Sequence, residues 1–356
     1  MKLLYVTSAK YENDWHSTPH THYFTEFFYV LRGEGVETAV ILPLYDKIGP
    51  QWREKMTFRR YIYVDLGWRH EYCGLFSLYD RGVTWYFVDN EKYFRRGRLY
   101  GEFDDGERFA FFSKAVVDLL PSLDWMPDIL HCNDWQTALV PIYLKTVAEN
   151  VSTVFTIHNI EYQGKYGADT VEDLFGLNRG DWYESGVLQM DGCVNLMKGA
   201  MVTADAVTTV SPTYAAQLRE SAYAAGLDSV VRSIQWKFSG VLNGIDMVSY
   251  DPECDPDLPA RYTAAESEGK TLCKAALQQE LGLAQEEGTP VLSMVTRLVG
   301  HKGVDLVCQA LDGIMATGCQ LVVLGSGDGG YENFFRHAQN RYPGRLCAWI
   351  GYNEGL

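Results

Sequence analysis

Residues 290–327, PVLSMVTRLVGHKGVDLVCQALDGIMATGCQLVVLGSG, constrain the fold of this chain more than any other stretch. PVLSMVT is short, apolar and rich in β-branched residues, which predicts a buried strand. Behind Gly303, the residues Val304, Val307, Leu311 and Ile314 recur at helical spacing. CQLVVLGSG predicts a second buried strand that breaks into a small-residue turn. Strand, helix and strand in this order form a βαβ unit of a parallel sheet. Arg297 and Lys302 fall at the exit of the first strand, at the sheet edge where open α/β folds bind ligands. Two cations there suit a pyrophosphate, Arg as a planar fork and Lys as a point charge. Each charge-assisted hydrogen bond contributes roughly 1.5–3 kcal/mol. By spacing alone, two solvated surface cations fit the pattern equally well.

The 356 residues suffice for two domains. A net charge of −15 without a basic block argues against nucleic acid as a partner. The N-terminal MKLLYVTSAK is too short an apolar run for a signal peptide. No apolar segment approaches the length of a membrane span, so the expectation is a cytoplasmic chain with no membrane partner. The eight cysteines are scattered without a CxxC pair, which predicts reduced thiols. Aromatic residues make up 13%, which suits carbohydrate stacking and an ordinary core alike.

Along the chain, KLLYVTS (2–8) and GVETAVILP (35–43) predict buried strands. The loop between them has no glycine up to residue 32, so its backbone cannot come close to a phosphate. It also lacks the G-x-G-x-x-G of a dinucleotide fold, which speaks against a dehydrogenase. His16, His20 and His22 have a spacing that could converge on one ion, but no second ligand cluster accompanies them. The expectation is no metal. Residues 57–90 predict antiparallel strands, with Asp80-Arg81-Gly82 as a hairpin turn. Residues 104–123 predict a helix opened by acidic residues. DILHCNDWQTALVPIYLKTV (128–147) and STVFTIHNIEYQGKYG (152–167) each predict a strand that delivers polar residues at its carboxyl end. These are His131, Asn133, Asp134 and Trp135 from the first, and His158, Asn159, Tyr162 and Gln163 from the second. Two strands aimed at one edge make a candidate site. Ser211-Pro212 predicts a capped helix start. Asn243-Gly244 predicts a turn. The polar stretch 251–271 predicts a junction. The expected division is therefore a first domain at 1–250, a junction and helix at 251–288, and a partial second domain at 289–356.

Nine segments together resemble the bacterial glycogen synthase and plastid starch synthase family. They are ILPLYDKI, DDGERFAFFS, HCNDWQTALVP, TVFTIHNIEYQG, LMKGAMVTADAVTTVSPTYA, GVLNGID, TRLVGHKG, LVVLGSGD and IGYNEGL. The resemblance implies an α/β fold of GT-B type, with two Rossmann-like domains on parallel sheets, the second incomplete. It implies glucose transfer from ADP-glucose to the non-reducing end of an α-1,4-glucan, with retention and without a metal or cofactor. By the same resemblance His158 lies beside the donor glucose, and Arg297 and Lys302 hold the donor phosphates. Gly325 and Tyr352 lie on the nucleotide side. Asp134, Trp135, Asn159, Tyr162 and Asn243 face the sugar or acceptor.

The chain departs from the family in two places. Residues 9–30 do not reproduce the family's Lys-Thr-Gly-Gly-Leu signature, and Ser17 and Thr18 cannot replace its cation. The region of the family's catalytic-site glutamate is not in the chain. Both departures bring forward a second reading, a relative that binds glucan or a partner without transferring glucose. An open half-sheet also implies self-association or a completing chain as a partner.

Overall fold

The structure, a computed structural model, describes residues 1–8, 27–28, 30–80, 82–147, 150–245, 247, 250–353 and 355–356. His16, Ser17, Thr18, His20 and His22 lie outside the described residues, as does the rest of 9–26. The chain divides into two compact units, Met1–Gly244 and Ile245–Leu356.

The first unit has strands β1 (Lys2–Val6), β2 (Glu37–Pro43), β3 (Thr57–Leu66), β4 (Arg69–Asp80), β5 (Val83–Asp89), β6 (Ile129–Asn133) and β7 (Ser152–Ile157). Three short strands follow, β8 (Lys165–Tyr166), β9 (Gln189–Met190) and β10 (Cys193–Asn195), and pair into a small sheet of their own. Strands β11 (Ala206–Thr209) and β12 (Phe238–Gly240) complete a nine-stranded sheet ordered β12-β11-β7-β6-β1-β2-β5-β4-β3. The pairs from β12 to β5 are parallel, and β5-β4-β3 are antiparallel. That change of sense is visible in the side chains. Strand β2 is buried along almost its whole length, as a strand covered on both faces should be. In the second half of β3, Val64 and Leu66 are buried while Tyr61 and Tyr63 face solvent, the alternation of a sheet with one wet face.

The helix α1 (Asp105–Leu119) is sunk in the core, with Phe109, Phe111, Phe112 and Val116 buried. Its opening residues do more than favour a helix start. Asp104 holds Arg96 through two contacts of 2.6 and 2.7 Å. Asp105 holds the fully buried Arg108 at 2.6 Å. The remaining Arg108 donors reach the carbonyls of Tyr93 and Leu99. Ser211 caps the short helix α2 (Pro212–Gln217) by accepting from Tyr214 N at 2.9 Å, the expected Ser-Pro start.

The second unit opens with turns and the helix α3 (Glu268–Glu280), and then has strands β13 (Val291–Val295), β14 (Gln320–Gly325) and β15 (Leu346–Ile350). They form a parallel sheet in sequence order. The helix α4 (Val304–Ala316) connects β13 to β14, and α5 (Gly329–Arg341) connects β14 to β15. Leu298, Val304, Leu311, Met315, Val323 and Phe335 close its core. The βαβ unit is where the apolar periods put it, but β13 is not a buried strand. It lies at the sheet edge, and Leu292 and Val295 are 46% and 69% exposed. An apolar run identifies a strand without saying how many neighbours it has.

No helix of the described residues is long and apolar enough to cross a membrane. No disulfide forms among them.

Candidate active site

Four neighbouring strands, β11, β7, β6 and β1, and the segment that follows β12 send side chains to one cavity of about 160 Å³ in the first unit. Its polar lining is Tyr5, His131, Asn133, Thr156, His158, Thr208, Thr209 and Asn243, with Phe27 and Leu242 among the apolar walls. In-register pairing places Tyr5 beside His131, Asn133 beside Thr156 and Thr156 beside Thr208. Alternation along each strand then puts these polar groups on one face.

His158, the first residue past β7, is held at two points. Its backbone N–H donates to Asp134 Oδ1 at 2.9 Å. Its ring Nε2 meets Asn133 Oδ1 at 3.0 Å. Asp134 has φ 58° and ψ 177°, a region occupied almost only by glycine, which costs a non-glycine residue about 1–3 kcal/mol. The strain is held because Asp134 N also donates to Thr156 O at 3.0 Å. Asn133 is 5% exposed and donates through Nδ2 to Val6 O and His131 O. Tyr5 OH donates to Asn133 Oδ1 at 2.9 Å. Below them, His131 Nε2 meets Thr156 Oγ1 at 2.7 Å, and Thr156 meets Thr208 at 2.6 Å. Burial, and after it the nearby His158, push His131 down to about 4 from the usual imidazole value.

The other expected residues are placed as follows. Asn243 lines the cavity beside His158. Asn159 Oδ1 accepts from Glu161 N at 2.9 Å and shapes the turn after β7. Tyr162 is 51% exposed. Trp135 is outside the cavity lining. Its ring packs edge-on against Phe109 at 5.4 Å, and a Cβ added at Gly164 would meet it at 2.7 Å. Gln163 is buried and joins Asn195 to the carbonyls of Ile160 and Ala225. Sequence reasoning missed Tyr5 and Thr208. Only strand register brings them to Asn133 and Thr156.

In the second unit, Arg297 follows β13 and Lys302 closes the turn before α4. Both are exposed and make no ion pair or side-chain hydrogen bond among the described residues. The chain after β13 runs against the chain after β14. Thr296 N donates to Leu324 O, and Leu298 N to Ser326 O. A Cβ at Gly325 would lie 1.9 Å from Thr296 O, and one at Gly327 2.4 Å from Leu298 O. Only glycine permits that approach. Tyr352 follows β15 and is 52% exposed.

Residues 26–233 match the family model of the starch synthase catalytic domain. A glycogen synthase from Geobacillus thermodenitrificans is 43% identical over 332 residues, covering 92% of this chain and 68% of that protein. The chain belongs to the glycogen and starch synthase family. A glycogen synthase from Lactobacillus acidophilus is 42% identical over 92% of this chain and 70% of its own length. The catalytic domain of Starch Synthase IV from Arabidopsis thaliana, bound to ADP and acarbose, superposes with a TM-score of 0.87 at 29% identity. That match covers this whole chain and 75% of the other. As a member of this glycosyltransferase family the chain has the GT-B type of fold, and its two α/β units fit it. The cavity beside His158 is therefore the candidate active site of a glycogen or starch synthase.

Proposed function

We propose that this chain transfers glucose from ADP-glucose to the non-reducing end of an α-1,4-glucan, with retention. The bond from glucose C1 to the β-phosphate oxygen breaks, and a bond to the glucan O4 forms on the same face of the sugar. The hydroxyl proton leaves with ADP. The observation that carries this reading is the two-point hold on His158, by Asp134 at 2.9 Å and Asn133 at 3.0 Å, on the wall of the polar cavity. In this reading His158 faces the donor glucose, and Asp134, Asn159 and Asn243 support the sugar side. Trp135 and Tyr162 complete the acceptor side. The first unit is the acceptor domain and the second the nucleotide-sugar domain. Arg297 and Lys302, unpaired among the described residues, hold the phosphates and stabilise charge on the departing ADP. Gly325 and Tyr352 receive the nucleotide. The site works in the cytoplasm without a metal or cofactor.

The second reading, binding without transfer, is favoured by one sequence fact. Residues 9–30 contain no Lys-Thr-Gly-Gly-Leu signature. The exposed edge strand β13 supports self-association, or pairing with another chain, under either reading. Titration with ADP and with UDP, followed by calorimetry, tests the donor assignment. Tighter binding of ADP supports it. Binding of neither nucleotide, or preference for UDP, contradicts it.

A further inference from the structure

We infer that Asn133 is a positioning residue that fixes the uncharged ring of His158 as the tautomer protonated at Nε2. Nδ1 is then the hydrogen-bond acceptor of the ring. The inference rests on the proposed function in taking His158 as the side chain that meets the donor sugar.

The hydrogen bonds around Asn133 leave one solution. Its amide can sit in two orientations that exchange nitrogen and oxygen. Nδ2 lies 3.1 Å from Val6 O and 3.2 Å from His131 O. Both partners are carbonyls and can only accept. The exchanged orientation would set an amide oxygen against two carbonyl oxygens and leave buried acceptors unsatisfied. The nitrogen therefore faces the backbone, and Oδ1 faces Tyr5 OH at 2.9 Å and His158 Nε2 at 3.0 Å. An amide oxygen can only accept. Tyr5 must donate its hydroxyl proton, and Nε2 of His158 must carry a hydrogen.

No carboxylate reaches the ring to compete for that proton among the described residues. Asp134 directs Oδ1 to the backbone N–H of His158. Nδ1 has no partner among them either. An unprotonated ring nitrogen accepts a hydrogen bond and cannot give one. The ligand group it suits is the O–H of a neutral sugar. While the ring is uncharged, a phosphate or carboxylate oxygen, which needs a donor, does not fit Nδ1. Asn133 thus selects what His158 can recognise, without touching substrate itself.

The test is the protonation of each His158 ring nitrogen in the full chain, read from long-range proton–nitrogen spectra of histidine-labelled protein near neutral pH. The His158→Gln variant assigns the resonances. The expected spectrum has a protonated Nε2 and a bare Nδ1. Asn133→Leu removes the acceptor at similar size and should mix the two tautomers, lowering kcat more than KM. Asn133→Asp keeps an acceptor oxygen at Nε2 but brings a negative charge to the ring, and should add a hydrogen at Nδ1 and leave kcat low. A bare Nε2, or hydrogens on both ring nitrogens, in the unsubstituted chain would overturn the inference, whatever the variants do. The inferred tautomer in a chain that transfers no glucose would leave the inference standing and defeat the proposed function.

Discussion

Asp134 and His158 leave adjacent parallel strands and are tied by a bond of 2.9 Å from the backbone N–H of His158 to the Asp134 carboxylate. The same Asp134 stands at φ 58°, ψ 177°. Strain and hold occupy one residue, which separates stability from function. Asp134→Gly relieves about 1–3 kcal/mol of backbone strain and loses a hydrogen bond of similar worth. Its unfolding midpoint in urea should stay near that of the parent chain. With His158 released, glucose transfer should fall about 100-fold. Asp134→Asn, which keeps the acceptor oxygen, should lose far less activity.

Asp105→Ala should be among the most destabilising changes in the first unit. It leaves the guanidinium of Arg108, which is fully buried, without its charge partner. Removing one member of such a pair costs about 3–5 kcal/mol. The double change Asp105→Leu with Arg108→Met removes both charges and should recover most of the loss. Urea melts of the parent chain and these two variants decide this.

The family-like segments are uneven in what they do. DDGERFAFFS carries a buried ion pair inside a core helix. In LMKGAMVTADAV, Lys198 binds the carbonyls of Gly186 and Gln189, and Asp205 clamps Thr153. These residues hold the fold and lie outside the cavity. The strands and the βαβ unit were legible because apolar periods of two and 3.6 survive in the sequence. His158 and Asp134 were legible because polar residues cluster where a strand ends. The Tyr5–Asn133 bond was not, since 128 residues separate its partners and only the strand order β6-β1 joins them. The exposure of β13 was also hidden, because an apolar strand reads alike at an edge and at a centre.

His131 makes stability depend on pH. Its ring titrates at about 4 when folded, below the ordinary 6.5 of the unfolded chain. Above 6.5 neither state binds the proton, and the contribution is complete. As pH falls from 6.5 to 4, the unfolded state takes up a proton that the folded state refuses, so stability drops. The full shift corresponds to about 3 kcal/mol. Unfolding free energies at pH 7.5 and 5 should differ in the parent chain, and differ less in His131→Leu.

Arg297→Ala and Lys302→Ala should each weaken ADP binding by about 10- to 100-fold, from the loss of a charge-assisted contact. Both side chains are exposed and unpaired among the described residues, so thermal stability should hardly change. Gly325→Ala should do the reverse and lower stability first, because its Cβ would meet Thr296 O at 1.9 Å. Calorimetric titration with ADP, beside a thermal melt, separates the two outcomes.

Glucose transfer at the His158 cavity is measured most directly as incorporation of labelled glucose from ADP-glucose into glycogen. The parent chain should be compared with His158→Ala at matched folding. The parent should incorporate label, and the variant should lose about 100-fold or more. ADP and glucan binding by the parent chain without any incorporation would contradict glucose transfer and leave the non-catalytic reading in its place.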